Sequence, residues 1–316
     1  MKVDRSSIAL AATRVAGHVR HTPVLRIAGY DLGLADPVAV PIVLKLELMQ
    51  HAGSFKPRGA FNRILNTAAP AAGVIAASGG NLGAAVAFAA RQLGLAAEIF
   101  VPAPTPAAKV SRIASYGAKV VQVGATYAEA LAACQERQRA TGAKEVHAYD
   151  HPDVVAGQGT LGREFEQDAP ELTHVLVATG GGGLIGGVAA WYAGSAAVIS
   201  VEPEGCPTLH DALRAGEPVA APVGGLAADS LGARQVGAVM FPIAQRYVTQ
   251  AVLVPDAAIK AAQGWLWERL RIIAEPGGAT AVAALLSGRF QAPPDARIGV
   301  VVCGGNTDPG SVLAPV

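Results

Sequence analysis

A chain of 316 residues with 51% hydrophobic content has material for two domains of ordinary size, each with its own core. Its 25 Lys and Arg nearly balance 24 Asp and Glu, with no basic block and few aromatics, so nucleic acid and anionic membrane surfaces are excluded as partners. Cys134, Cys206 and Cys303 lie far apart without ligand spacing, which excludes a disulfide framework and a structural zinc site and fits a reducing compartment.

The amino-terminal stretch MKVDRSSIALAATRVAGHVR carries Asp4 early and Arg14 within its apolar run, so it is not patterned as a signal peptide, and the cytoplasm is expected. Short β-rich runs then recur near Val43, Ile75, Ile99, Val120, His147, Leu176, Ile199, Val252 and Val301. Between them the spacing predicts helices over 82–94, 106–116, 126–141, 183–193, 256–271 and 277–286. Such alternation predicts an α/β chain of parallel strands and crossover helices, with Gly94, Gly117 and Gly142 closing three of the helices. Two uncharged runs, 68–90 and 173–201, have the length of a membrane span, but glycine clusters at their centres read instead as strand-to-helix turns in a buried sheet.

Four motifs carry chemistry. In GSFKPRGA (53–60), Pro57 is suited to the first turn of a helix through Arg58, Ala60, Phe61 and Ile64, which puts Lys56 at the helix mouth. The positive end of the helix dipole and burial both disfavour an ammonium group there, so the site favours a free amine fit for Schiff-base chemistry. A solvated loop lysine is the plainer alternative. In ASGGNLGAAVAFAA (77–90), Ser78, Gly79, Gly80, Asn81 and Leu82 form a turn into an alanine-rich helix. It is suited to a carboxylate, unless Asn81 merely caps the helix.

VATGGGGLIGG (177–187) runs a strand into four glycines and a helix, a phosphate cradle built from Gly180, Gly181, Gly182, Gly183 and Leu184. Gly181, Gly183 and Gly186 also satisfy the dinucleotide pattern, with Glu202 placed as a ribose-binding acid would be. An NAD-dependent dehydrogenase would rest on that match, and it leaves GSFKPRGA and VVCGGNTD (301–308) unexplained. Together the motifs ask for one aldehyde-bearing, phosphorylated, aromatic cofactor. Lys56 would take its aldehyde, the glycine loop its phosphate, Asn81 its ring hydroxyl and Cys303 its ring nitrogen; pyridoxal phosphate fits.

The chain resembles the fold-type II pyridoxal-phosphate enzymes, and within them the threonine/serine dehydratase and serine racemase group. HTPVL, LKLELMQHAGSFKPRGAFN, AASGGNLGAAVAFAARQLG, YGAKVV, AGQGTLGREF, TGGGGLIGG, VEPEG, AEPGGATAVAAL and CGGNTD follow in the family's order. The resemblance implies two open parallel-sheet α/β domains of tryptophan synthase β-like architecture with the cofactor between them. Residues 1–52 and 145–316 would form the large domain and 53–144 the small inserted one. It implies that Lys56 binds the cofactor and removes the α-proton of an amino-acid substrate, that Phe55 packs on the ring, and that Ser78, Gly79, Gly80, Asn81 and Leu82 meet the substrate. Cys303 would be a neutral partner for the pyridine nitrogen, which favours expulsion of a β-hydroxyl. The implied reaction is dehydration and deamination of threonine or serine to a 2-oxo acid and ammonia, by a homodimer.

Three departures refine this. Gly79 stands where racemases carry a second acid/base, which disfavours a serine racemase. Leu82 stands where threonine dehydratases often have histidine; it leaves room for a bulkier 3-hydroxy amino acid, phenylserine or hydroxyaspartate, and favours an apolar over an acidic substituent. Relatives that bind a divalent ion use a glutamate matching Glu202 and an aspartate six residues on, where this chain has Thr208. Glu202 is thus the candidate ligand if a divalent cation binds, with monovalent-ion activation the other expectation. The chain stops at Val316 shortly after CGGNTD, so feedback control by isoleucine through a regulatory domain is not expected.

Overall fold

In the computed structural model, which describes residues 2–28, 32, 42–68 and 70–313, helix α1 (Arg5–Val15) starts at a reciprocal Asp4–Ser7 capping box. Strands β1 (Val24–Ile27) and β2 (Ile42–Lys45) follow, and a 3-10 turn at His51–Gly53 leads into α2 (Lys56–Leu65). Next come β3 (Val74–Ala77), α3 (Asn81–Gln92), β4 (Ala97–Val101), α4 (Ala107–Ser115), β5 (Lys119–Gln122), α5 (Tyr127–Thr141) and β6 (Lys144–Glu145). The remainder is α6 (Pro152–Asp168), β7 (His174–Ala178), α7 (Gly183–Tyr192), β8 (Ala197–Pro203), α8 (Thr208–Ala215), α9 (Ala228–Leu231), α10 (Phe241–Tyr247), β9 (Val248–Val254), α11 (Asp256–Leu270), α12 (Pro276–Leu286), β10 (Ile298–Val301) and α13 (Pro309–Leu313).

Among the described residues the strands form two sheets, one ordered β1-β2-β10-β7-β8-β9 and the other β5-β4-β3-β6. Every pairing is parallel except β1 with β2. The two apolar runs of span length are strand–turn–helix material, β3 into α3 and β7 through α7 to β8. Among the described residues no helix is long and apolar enough to cross a membrane.

The expected helices match α3, α4, α5, α7, α11 and α12 closely, and Gly142 ends α5 in the left-handed conformation expected of a helix-closing glycine. The run near His147 departs from expectation. Strand β6 stops at Glu145, and His147 turns back so that its Nδ1 accepts from the amides of Tyr149 and Asp150. The spacing also gave no signal for α6, which contains Gly157, Gly159 and Gly162, residues that weigh against a helix by intrinsic preference. Packing explains them. A Cβ at Gly157 would come within 2.6 Å of the Arg58 carbonyl oxygen, and one at Gly187 within 2.5 Å of the Gly159 amide nitrogen, so α2, α6 and α7 meet almost backbone to backbone.

A buried ionic cluster ties α2 to this frame. Arg58, 1% exposed, donates to both oxygens of Glu47 (2.7 and 2.8 Å) and to Glu164 of α6 (2.9 Å). Lys45, fully buried at the end of β2, contacts Glu164 at 2.7 Å and Asp168 at 2.6 Å. Burial by itself would raise the Glu164 carboxyl, but Arg58 and Lys45 outweigh it and hold it below the ordinary value. The Asp168 carboxyl is likewise depressed, since Lys45 and His21 overcome its partial burial.

Replacing Arg58 with Met would leave buried Glu47 with the Thr22 hydroxyl alone and strip Glu164 of one of its two cations, and should cost about 3–5 kcal/mol, measured as a lower urea midpoint. Because the folded-state carboxyls of Glu164 and Asp168 lie below their unfolded values, the stability they contribute is present above the ordinary carboxylate range and is lost as pH falls. Urea titrations should therefore show the midpoint declining below about pH 4.

Candidate active site

Three parallel strands deliver the motifs to one place at their carboxyl ends, where ligands of open α/β sheets bind. β3 ends at Ser78, β7 at the glycine loop, and β10 at Cys303. The segment after β10 runs back along the turn before α2. Phe55 N donates to Cys303 O (3.1 Å), Ser54 bridges Gly304, and Gly305 N donates to Gly53 O (2.9 Å). That short pairing puts Lys56 beside Cys303.

Lys56 is half-buried, and its Nζ donates to the Ala148 carbonyl (2.8 Å) and lies 5.0 Å from the Phe55 ring centre. Desolvation lowers its pKa to about 8, against the opposing pull of Cys303 and Glu275. The shift is toward the free amine. Burial pushes the Cys303 thiol well above its ordinary value, so it is a neutral group, and its Sγ donates to Gly277 O at 3.4 Å.

Asn81 is the first residue of α3 rather than its cap, which is Gly80. Its Nδ2 donates to Glu275 Oε1 (2.6 Å) and its Oδ1 accepts from Asn306 Nδ2 (2.5 Å), so the amide is fixed from both sides with one N–H left over. Glu275, 6% exposed, has its pKa pushed up to about 7 by burial, an effect tempered by Asn81, Arg112 and Lys56. Ser78 Oγ accepts from Gly80 N (3.2 Å). Leu82, 4% exposed, packs in the apolar core under the smaller sheet.

The glycine loop is close-packed on one side and open in its amides. A Cβ at Gly180 would meet Leu231, one at Gly181 the Tyr149 ring at 2.3 Å, and one at Gly182 the Met240 side chain at 2.5 Å. Gly182, at φ +86°, caps α7, and among the described residues the amides of Gly181, Gly182, Gly183 and Leu184 donate to no backbone carbonyl. Buried Ser54 Oγ, two residues before Lys56, also lacks a partner among the described residues. These unsatisfied donors, the enclosed amine and the neutral thiol together fit pyridoxal phosphate.

Glu202 is engaged by backbone amides. Fully buried at the end of β8, it accepts from Leu209 N (2.6 Å) and His210 N (2.9 Å), capping the start of α8, and burial raises its pKa to about 8. Among the described residues, the group with metal-ligand spacing is His21, Glu164 and Asp168, and Lys45 already supplies a cation to its two carboxylates. Sequence reasoning missed Glu275, Asn306, Arg112 and Tyr149. Glu275 had a usable signal as an acid set before Pro276 in an otherwise apolar, glycine-rich helix; the others had none.

The fold and site define a cofactor-binding α/β enzyme with a desolvated lysine at a helix mouth. Residues 15–304 match the model of the pyridoxal-phosphate dependent enzyme family, and the chain belongs to that family. Its cofactor is pyridoxal phosphate. It is 37% identical to an L-threonine ammonia-lyase of Geobacter sulfurreducens over 94% of this chain and 74% of that protein. It is 36% identical to a phenylserine dehydratase of Ralstonia pickettii over 96% of this chain and 94% of that one. The solved structure of maize serine racemase superposes with a TM-score of 0.91 at 32% identity, covering 99% of this chain and 96% of that one.

An apo-protein lysine must be neutral to attack an aldehyde. Capture of pyridoxal phosphate, followed by visible absorbance, should therefore accelerate as pH rises through about 8 and level off above it.

Proposed function

We propose that the protein is a lyase that dehydrates and deaminates a β-hydroxy amino acid, threonine or serine, giving a 2-oxo acid and ammonia. The observation that carries this reading is the desolvated Lys56 amine beside a neutral Cys303, with a racemase's second acid/base position filled by Gly79. The L-threonine ammonia-lyase and phenylserine dehydratase relatives support it.

When bound, pyridoxal phosphate supplies an electron sink that acidifies the substrate Cα–H. Lys56 Nζ, which burial brings to a pKa of about 8, takes that proton in its neutral form. The amides of Gly181 to Leu184 would hold the phosphate, and the spare N–H of Asn81 would meet the ring oxygen. The Ser78 to Asn81 turn would hold the substrate carboxylate at the amino terminus of α3, where the helix dipole favours an anion. Cys303, held neutral by burial, cannot stabilise a protonated ring nitrogen as a carboxylate would. Loss of the β-hydroxyl then competes well with reprotonation at Cα.

Purified protein with pyridoxal phosphate should release 2-oxo acid from L-threonine or L-serine, and Lys56→Ala should lower turnover by about 10³-fold or more while losing the visible absorbance. Turnover of phenylserine alone would move the substrate to the bulkier class. Isomerisation of serine without any 2-oxo acid would overturn the lyase reading.

A further inference from the structure

Helix α4 presents two cations one turn apart, Lys109 and Arg112, to a cavity of ≈ 40 Å³ also lined by Gly79, Gly80, Asn81 and Glu275. Their partners differ. Lys109 forms an ion pair with Asp229 of α9 at 2.5 Å. Among the described residues Arg112 touches no carboxylate: its Nη2 donates to the Ala52 carbonyl (2.6 Å) and to Asn306 Oδ1 (2.5 Å). Both acceptors are neutral, and no protein group accepts from Nε or Nη1 among the described residues. A half-buried guanidinium, pinned by one nitrogen and free at its other donors among the described residues, stands in the wall of this cavity, across from the Gly79–Asn81 turn that would meet the substrate. It is also close to the turn that leads to Lys56, since a Cβ at Gly53 would lie 3.4 Å from Nη2.

The acids facing the same cavity are already engaged. Asp229 holds Lys109, and Glu275 holds Asn81. The α-carboxylate would have its own donors in the turn ahead of α3, so Arg112, whose charge acts on Glu275 without a hydrogen bond to it, keeps free donors for a further anion. Planar guanidinium groups with free donors pair best with a carboxylate. Leu82, the residue that argued for an apolar substituent, does not line this cavity.

Building on the lyase reading above, we propose that Arg112 is a specificity-determining residue that receives a second carboxylate on the substrate's β-carbon, so that the substrates include β-hydroxy dicarboxylic amino acids of the 3-hydroxyaspartate type. The bond formed is a charge-assisted hydrogen bond from the free guanidinium donors, and the reaction at Cα and Cβ is unchanged.

The test compares holoenzyme, Arg112→Gln and Arg112→Lys on L-threonine and L-threo-3-hydroxyaspartate, with calorimetric titration of succinate and butyrate as unreactive probes. Arg112→Gln should raise the KM for hydroxyaspartate about 30-fold and that for threonine less than about 3-fold, and should abolish any preference for succinate over butyrate. Arg112→Lys keeps the charge but loses the fork, and should give a selective KM increase of about 5-fold. It decides the matter if the glutamine variant does not fold. Equal KM increases for both amino acids would assign Arg112 to the α-carboxylate or to structure and overturn the proposal. So would a wild-type protein that binds succinate no better than butyrate. Inactivity on both amino acids would sink the lyase reading instead, and the calorimetry would then decide the role of Arg112.

Discussion

The hydrogen-bonded ion pairs between Arg58 and the carboxylates of Glu47 and Glu164 fix the one element whose position everything else requires, the helix that begins at Lys56. A lysine amine is useful for imine chemistry only where desolvation holds it neutral, and a flexible side chain leaves such a place unless its backbone is pinned. Arg58, two residues along α2, supplies the pin. Because it bridges α6 and a short 3-10 turn at Glu47–Met49 just after β2, it ties the lysine's helix to the large sheet's frame from two directions. Buried ion pairs add little net stability against a well-packed apolar alternative, so the cluster is better understood as setting position than as adding to the core.

Close approach and polar contact complete the site between the two sheets. The glycines of α6 and α7 bring helix backbones together, and those of the 180–183 loop let Leu231, Tyr149 and Met240 press against it while its amides stay open to an anion. On the other side a chain of contacts runs from Glu275 through Asn81 and Asn306 to Arg112. Two of these residues, Asn81 and Arg112, belong to helices packed on the smaller sheet; Glu275 precedes α12 and Asn306 follows β10 on the larger one. The orientation of Asn81, and with it the donor available to a cofactor ring, therefore depends on both parts of the fold at once.

Much of this was legible early. The alternation of β-rich runs and helical spacing located β2–β5 and β7–β10, because buried parallel strands are continuous apolar runs bounded by glycine turns. GSFKPRGA marked Lys56 because proline, glycine and a cation have opposed preferences at a helix start. Helix α6 escaped because its glycines obey packing with α2 and α7 rather than local propensity. Strand β6 was overextended because VHAY has β-rich composition, yet its backbone is taken up by a turn closed on the His147 ring.

Sequence alone determined the chemistry available at each strand end: an amine, a neutral thiol, an amide and a set of exposed backbone N–H groups, each set by residue type and local backbone rules. Tertiary structure decided which charges survive unpaired. Glu202, placed by spacing as a ribose-binding acid and by the resemblance as a metal ligand, accepts from the first amides of α8, and Lys109 is paired with Asp229. Arg112, silent in the sequence, remains with free donors in the cavity wall. Pairing of this kind depends on which distant carboxylate the fold brings within about 3 Å, a distance that no local pattern encodes.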